Sequence, residues 1–317
     1  MNHRPRNIPS AVAAVLTIML CISGCLAGPG RTRHVLEHDG LRREYLLHLP
    51  TGHNRERLWP LVIALHPFAS TGAMMARTTD FDPIADEEGF IVCYPRGVTF
   101  LWNGDPTDEA KGLLVEDADD VGFIARLLDE LIEDYGVDPA RVYVTGASNG
   151  GLMTQRLACA LGERLAAVAP VMITLPERFP EACEGGSAVP MLMIFGTNDP
   201  FFPWEGGAVQ QGPSSAVTYL SAVDTVDFWV NRNGAAAEAE VEALPDLDPE
   251  DGTRVYRETH AAGASGAEFV FYRVEGGGHT WPGSRSNLLE SLAGVGRISQ
   301  DMDASRVIWD FFKTKSR

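Results

Sequence analysis

Basic residues are scarce in this chain: 26 lysines and arginines face 43 aspartates and glutamates, a formal charge of −17 over 317 residues. Such a surface repels phosphate backbones, which excludes nucleic-acid binding, and it disfavours strongly anionic substrates. Cysteine is scarce too, with five in all, and no Cys-x-x-Cys pair exists to suggest a zinc site. No apolar run after the first 25 residues approaches the length of a membrane span. There is no internal repeat and no long low-complexity linker, so nothing divides the chain into two folding units.

The N-terminus has the layout of an export signal. "MNHRPRN" is a basic start, "IPSAVAAVLTIML" is a short apolar run, and "CISGC" supplies small residues ahead of Cys25. Ile22-Ser23-Gly24-Cys25 resembles a bacterial lipobox, in which the cysteine is acylated and becomes the new N-terminus. The reading is a lipoprotein-type signal over 1–24, a tether over 25–33 with lipidation at Cys25, and one catalytic domain over 34–317. Cleavage near Ala27 and a single membrane anchor are the alternatives. Acylation would tether the domain, each buried methylene contributing about 0.8 kcal/mol. Cleavage removes Arg4 and Arg6 and no acid, so the mature chain is more acidic still.

Export permits disulfides. Cys93, in "GFIVCYP", reads as a small buried residue, while Cys159 and Cys183 are free to pair. "DLDPEDG", over 246–252, reads as a solvated acidic turn, because its glycine stands one place late for an EF-hand loop. No cofactor and no metal are expected.

Strand and helix patterns alternate from about residue 34 onward. "PLVIALHP" and "FIVCYP" are continuous apolar runs of the kind buried on both faces. "DADDVGFIARLLDELIEDYGV" places Val121, Ile124, Leu127, Leu128, Leu131 and Ile132 on one helical stripe behind an acidic start. Further strands ("RVYVTG", "LAAVAPVM", "PMLMIFG", "TRVYRETH", "EFVFYRVEG") and helices (149–160, "AVDTVDFWVNRNG", "ASRVIWDFFKT") continue the alternation. That order predicts an α/β fold with a mostly parallel central sheet and helices on both faces. Segments 201–220 and 234–252 read as loose.

Within this frame, "VYVTGASNGGLM" runs a buried strand straight into Gly-Ala-Ser-Asn-Gly and out into a helix. Gly-x-Ser-x-Gly alone is a weak match, but strand–turn–helix is the setting that a nucleophile elbow requires. Gly146 and Gly150 lack side chains where backbones must close together, and Ser148 would project from the turn. A serine hydroxyl needs a base, and of the eight histidines only His260 and His279 follow Ser148. His260 sits in a polar turn between two strands. His279 lies in "GGGHTWPG", past a strand's C-terminal end, where ligand chemistry in open α/β sheets gathers. It is the predicted base. Asp199, after "PMLMIFGTN", is the predicted acid, orienting His279; Asp224 and Asp227 rival it by order but fall on a predicted helix.

An oxyanion hole needs two N–H donors. Asn149, the residue after the nucleophile, supplies one. The loop "ALHPFASTG" supplies the other, and since Pro67 has no N–H, Phe68 is favoured over Ala69. His66 reads as a brace for that loop, without a proton-transfer role.

Taken together, "VYVTGASNGGLMTQRLAC", "FGTNDPFFPWEGG", "DDVGFIARLLDEL" and "GGGHTWPG" resemble the secreted poly(3-hydroxybutyrate) depolymerase and feruloyl esterase-like family of α/β-hydrolases. The likeness spans roughly residues 34–317. It implies the α/β-hydrolase fold, the same Ser148, Asp199 and His279, and a Cys159–Cys183 bridge. This chain departs from the family pattern where His66-Pro67 replaces His-Gly, and where "GDPTDEAKG" follows Trp102-Asn103 without cysteines.

The expected activity is therefore an exported serine esterase acting through an acyl-enzyme. Its expected substrates are hydroxyalkanoate oligomers and short-chain or hydroxycinnamoyl esters, rather than crystalline polymer. A true depolymerase, a peptidase or amidase with the same triad, and an inactive binding protein are the alternatives. Trp102, Trp204 and above all Trp281 are expected to contact substrate, with Phe201 and Phe202 nearby. The expected partner is the ester itself, with the membrane reached only through the N-terminal anchor.

Overall fold

The computed structural model describes residues 30–107, 118–212, 215–264, 266–285 and 294–317. The signal, Cys25 and most of the tether lie outside the described residues. The strand β1 begins at Arg31, inside the stretch read as tether.

Among the described residues ten strands form one sheet in the order β1-β2-β4-β3-β5-β6-β7-β12-β11-β10. They are β1 (Arg31–His38), β2 (Leu41–His48), β3 (Trp59–Leu65), β4 (Ile91–Pro95), β5 (Val137–Ala147), β6 (Ala167–Val171), β7 (Met191–Gly196), β10 (Glu240–Ala243), β11 (Arg254–His260) and β12 (Phe269–Glu275). From β4 through β12 the central strands run parallel. Antiparallel neighbours close both edges: β1 and β2 beside β4, and β11 and β10 beside β12. A separate hairpin, β8 (Gly207–Gly212) with β9 (Ser215–Tyr219), occupies part of the segment read as loose, just after the turn that carries Asp199.

Alternation along the central strands builds two cores. In β3 every residue is buried, with Leu61, Ile63 and Leu65 facing one layer and Val62 and Ala64 the other. The first layer comprises α3 (Asp120–Tyr135), α4 (Asn149–Ala160) and α6 (Ala222–Arg232). Phe123, Leu127, Met153, Leu157 and Trp229 fill it. The second holds α1 (Gly72–Thr79), α2 (Phe81–Glu88) and α7 (Ala304–Phe312), through Met75, Phe81, Ile308, Trp309 and Phe312. The helix α3 starts where Asp119 accepts from Gly122 N–H at 2.8 Å, and it ends at Gly136, whose φ of 67° suits a left-handed cap. Among the described residues no helix is long and apolar enough to cross a membrane.

Cys159 closes the end of α4 onto Cys183, which caps the short helix α5 (Phe179–Ala182), with Cα atoms 5.4 Å apart. Cys93 is a free, buried thiol in β4, and burial pushes its pKa up. A bridge across a sequence separation of 24 removes chain entropy from the unfolded state worth about 3 kcal/mol. Replacing both Cys159 and Cys183 by serine should lower unfolding stability by about that amount in a denaturant titration. Intact mass without reductant should be two hydrogens below the reduced mass; free thiols at all of Cys93, Cys159 and Cys183 would refute the bridge.

Candidate active site

Ser148 stands at the junction of β5 and α4 with φ 53° and ψ −119°, a conformation that L-residues rarely adopt. Its N–H donates to Val171 O at 2.8 Å, tying the turn to the neighbouring strand β6. Glycines make the geometry possible. A Cβ on Gly146 would lie 2.2 Å from Gly150 O, and one on Gly150 would lie 2.3 Å from Leu65 O. Serine in the N-cap position commonly spends its oxygen on the helix N–H groups. Ser148 makes no such cap, and it is buried to 7% exposure.

Asp199 and His279 meet by the same logic of close approach. β7 and β12 are parallel neighbours, and their C-terminal turns are laced together. Asn198 N–H donates to Gly277 O (2.9 Å), Thr197 N–H to Val274 O (3.0 Å), and Gly276 N–H to Thr197 Oγ1 (2.9 Å). A Cβ on Gly196 would strike Gly277 O at 2.4 Å, so this approach also needs glycine. Asp199 has a fully buried side chain. One oxygen accepts from Phe201 N–H and Phe202 N–H at 2.8 and 2.9 Å, and the other accepts from His279 Nδ1 at 2.7 Å. That bond sets the imidazole tautomer and leaves Nε2 as the acceptor. Phe201 meets the His279 ring edge-on, with centroids 5.1 Å apart, and Phe202 lies 5.6 Å away. Ser148 sits at the C-terminal end of β5 on the same edge of the sheet, with β6 between β5 and β7.

His260, the rival base, ends β11 with Nδ1 2.8 Å from Ala236 O, and it is buried away from this edge. Asp224 caps α6 with Ser221. Asp227 lies on that same helix.

The loop after β3 is braced from inside. His66 is fully buried; Nδ1 donates to Pro67 O at 2.8 Å and Nε2 accepts from Gly97 N–H at 3.0 Å. Burial lowers its pKa to about 4, with the Arg96 and Arg43 charges adding to the effect, so it stays neutral and takes no part in proton transfer. Ala69, at φ 53°, donates its N–H to Phe100 O at 3.0 Å. Phe68, the expected second oxyanion donor, lies between Pro67 and Ala69 in this loop. Its ring is 43% exposed.

The aromatic expectations need correction. Trp281 is 2% exposed, packs edge-on against Phe81, and donates from Nε1 to Ser305 Oγ at 3.0 Å; it belongs to the second core. Trp102 is 1% exposed and donates from Nε1 to His66 O at 3.0 Å, so it too is wrapped in protein. Both lie on loops near the active edge, Trp281 two residues past His279, but each indole finds its partner inside. Trp204 is half-buried on Phe195 and Phe271, and with Thr197, Asp199 and Arg273 it lines an open cleft of about 880 Å³. Sequence reasoning also missed the side chain of Asn149. Its Oδ1 accepts from Trp102 N–H (2.8 Å) and its Nδ2 donates to Trp102 O (2.9 Å), a pairing across 47 residues that no local pattern signals.

The neutral His66 gives a pH test. The unfolded chain takes up a proton near the ordinary histidine value of 6.5, which the folded chain refuses until about pH 4. This contribution is fully present above pH 6.5 and is lost as pH falls toward 4, by about 3 kcal/mol in all. Denaturant midpoints of wild type and His66→Gln, measured from pH 7 to 4, should converge as pH falls. Parallel curves would show that His66 is not held neutral.

Residues 43–200 match the model of the family described as esterase PHB depolymerase. The chain is 34% identical over 257 residues to NocK of Nocardia uniformis subsp. tsuyamanensis, covering 77% of this chain and 72% of that protein. It is 26% identical to feruloyl esterase B of Piromyces equi, covering 75% of this chain but 42% of that protein. Among solved structures, an acetyl xylan esterase from Aspergillus awamori superposes with TM-score 0.55 at 20% identity, covering 78% of this chain and 94% of that one. A thermostable esterase superposes with TM-score 0.56 at 15% identity, covering 91% of this chain and 64% of the other. The parallel sheet, its edge of glycine-built turns and these likenesses lead to one assignment: the chain belongs to the esterase PHB depolymerase family, carboxylic-ester hydrolases on the α/β-hydrolase fold.

Proposed function

We propose that this protein is an exported serine esterase with Ser148 as nucleophile, His279 as base and Asp199 as the acid that orients it. The carrying observation is the buried Asp199–His279 hydrogen bond of 2.7 Å, on the sheet edge where Ser148 is held at φ 53° with an uncapped hydroxyl. Ser148 Oγ attacks the ester carbonyl as His279 Nε2 takes its proton. The N–H groups of Asn149 and Phe68 hold the developing oxyanion. His279 then passes the proton to the departing alcohol oxygen, leaving an acyl-enzyme. Water, losing a proton to His279, attacks the acyl carbon; as the intermediate collapses His279 returns that proton to Ser148 Oγ, and the acid is released. An acidic chain with exposed Phe68 and Phe201 beside this edge suits uncharged esters, short-chain, hydroxyalkanoate-oligomer or hydroxycinnamoyl.

Ser148→Ala should abolish labelling by a fluorophosphonate probe and cut turnover on the order of 10⁴-fold or more, leaving what binding and the oxyanion hole provide. Labelling that persists in this variant would rule out Ser148. The bridged Cys159 and Cys183 support an oxidising compartment, hence export, and Cys25 is the proposed acylation site. Full-length protein should then partition into a detergent phase and Cys25→Ser should not; equal partitioning would defeat the lipid anchor.

A further inference from the structure

The dipeptide Trp102-Asn103 lies in an irregular loop, yet its backbone polar groups are held by side chains. Trp102 N–H and C=O both pair with the Asn149 amide, at 2.8 and 2.9 Å. Asn103 N–H donates to Asp120 Oδ2 at 2.7 Å, and Arg156 Nη1 donates to Asn103 O at 2.6 Å. Asp120 is itself fixed by Arg43 at 2.5 Å, a pair buried to 2% exposure on each side. The Trp102 ring then reaches the loop after β3: Nε1 donates to His66 O, and the indole lies 5.1 Å from the imidazole between centroids. A loop segment tied by a buried carboxylate from α3 and by half-buried amide and guanidinium groups from α4 has little freedom to shift.

From this we infer that the Asn149 side chain and the Trp102 indole are positioning residues for the oxyanion hole. The inference rests on the reading of Ser148, Asn149 and Phe68 given above. Asn149 offers its own N–H at the start of α4. Through its amide it also holds Trp102, which holds His66 O, two residues before Phe68. The two donors therefore belong to one hydrogen-bonded unit, and their separation is set by a side chain beside the nucleophile as well as by the loop backbone. Gly150 completes the contact, since a Cβ there would lie 2.6 Å from that same His66 O. The unit matters in the transition state, where the oxygen carries charge, far more than for the bound ester.

The test uses full-length protein and one soluble methyl ester. Asn149→Ala keeps the backbone N–H but removes the clamp; Trp102→Phe keeps a ring but removes its donor. Each should lower kcat about tenfold or more with KM within about twofold, and should weaken binding of a trifluoromethyl ketone analogue by the factor lost in kcat/KM. Because both act through one path, the double variant should lose little more than the worse single one. Losses that multiply, a change confined to KM, or kcat within twofold of wild type in both variants would overturn the proposal. Should either variant fold poorly, the other still decides it through the kcat and analogue readouts. Persistent fluorophosphonate labelling of Ser148→Ala would instead indict the nucleophile assignment, which these variants do not touch.

Discussion

The left-handed backbone of Ser148 is the constraint on which the site depends. A non-glycine residue in that region costs about 1–3 kcal/mol and persists only where its surroundings over-determine it. Here the surroundings are backbone: Val171 O accepts its N–H, and Gly146, Gly150 and Gly151 let three chain segments close to distances that side chains forbid. Strain is not confined to the serine. Ala69, Thr99, Phe100 and Met172 also have positive φ, on the loops after β3 and β4 and at the end of β6, the segments that border the elbow. The opposite end of the sheet carries no comparable cluster among the described residues. The core of Val, Leu, Ile and Phe packed on both faces supplies the stability against which that strain is held.

Charge is handled with equal economy at this edge. Although the chain is strongly acidic, the buried carboxylates near the site each have defined donors. Asp199 uses one oxygen for two backbone N–H groups and the other for His279. Asp120, whose carboxyl burial raises, is met by Arg43 and by Asn103 N–H. His66 is neutral and serves as donor and acceptor at once. A buried charge without such partners would cost several kcal/mol. In the proposed mechanism the oxyanion is held by the backbone N–H dipoles of Asn149 and Phe68. That arrangement favours a charge that exists only during reaction over a substrate that carries one from the start.

Much of this was legible in the sequence because it is local. The glycines around Ser148, the acid shortly after an apolar strand and the histidine in a glycine-rich loop each advertise a strand end, and the fold gathers strand ends along one edge. The α/β alternation was legible for the same reason: helices 149–160 and 222–232 carry their own periodicity. What failed was tertiary. Trp102 and Trp281 look like loop aromatics, but their burial depends on His66 and Ser305, which lie 36 and 24 residues away. The β8–β9 hairpin escaped because Gly207–Tyr219 is rich in glycine, serine and glutamine, with few of the alternating apolar residues that mark a strand. The role of the Asn149 amide escaped because the motif explains the residue by its backbone alone.

The corrected aromatic map also changes how the edge meets its substrate. With Trp102 and Trp281 inside, the exposed aromatic rings among the described residues are Phe68 and Phe201. They belong to turns after β3 and β7, which flank the β5 strand one place to one side and two places to the other. At about 4.8 Å per strand, that spacing is on the order of 14 Å, the width of a small acyl group with its alcohol. Each ring stands next to the proposed machinery, Phe68 carrying the N–H proposed for the oxyanion hole and Phe201 touching His279 edge-on while its N–H holds Asp199. Apolar surface that would be a liability elsewhere on a charged protein is thus placed where an uncharged ester can cover it. In the proposed mechanism the residues that orient the reacting groups are also the ones whose rings an ester would cover, so binding and catalysis at this edge would draw on one set of side chains.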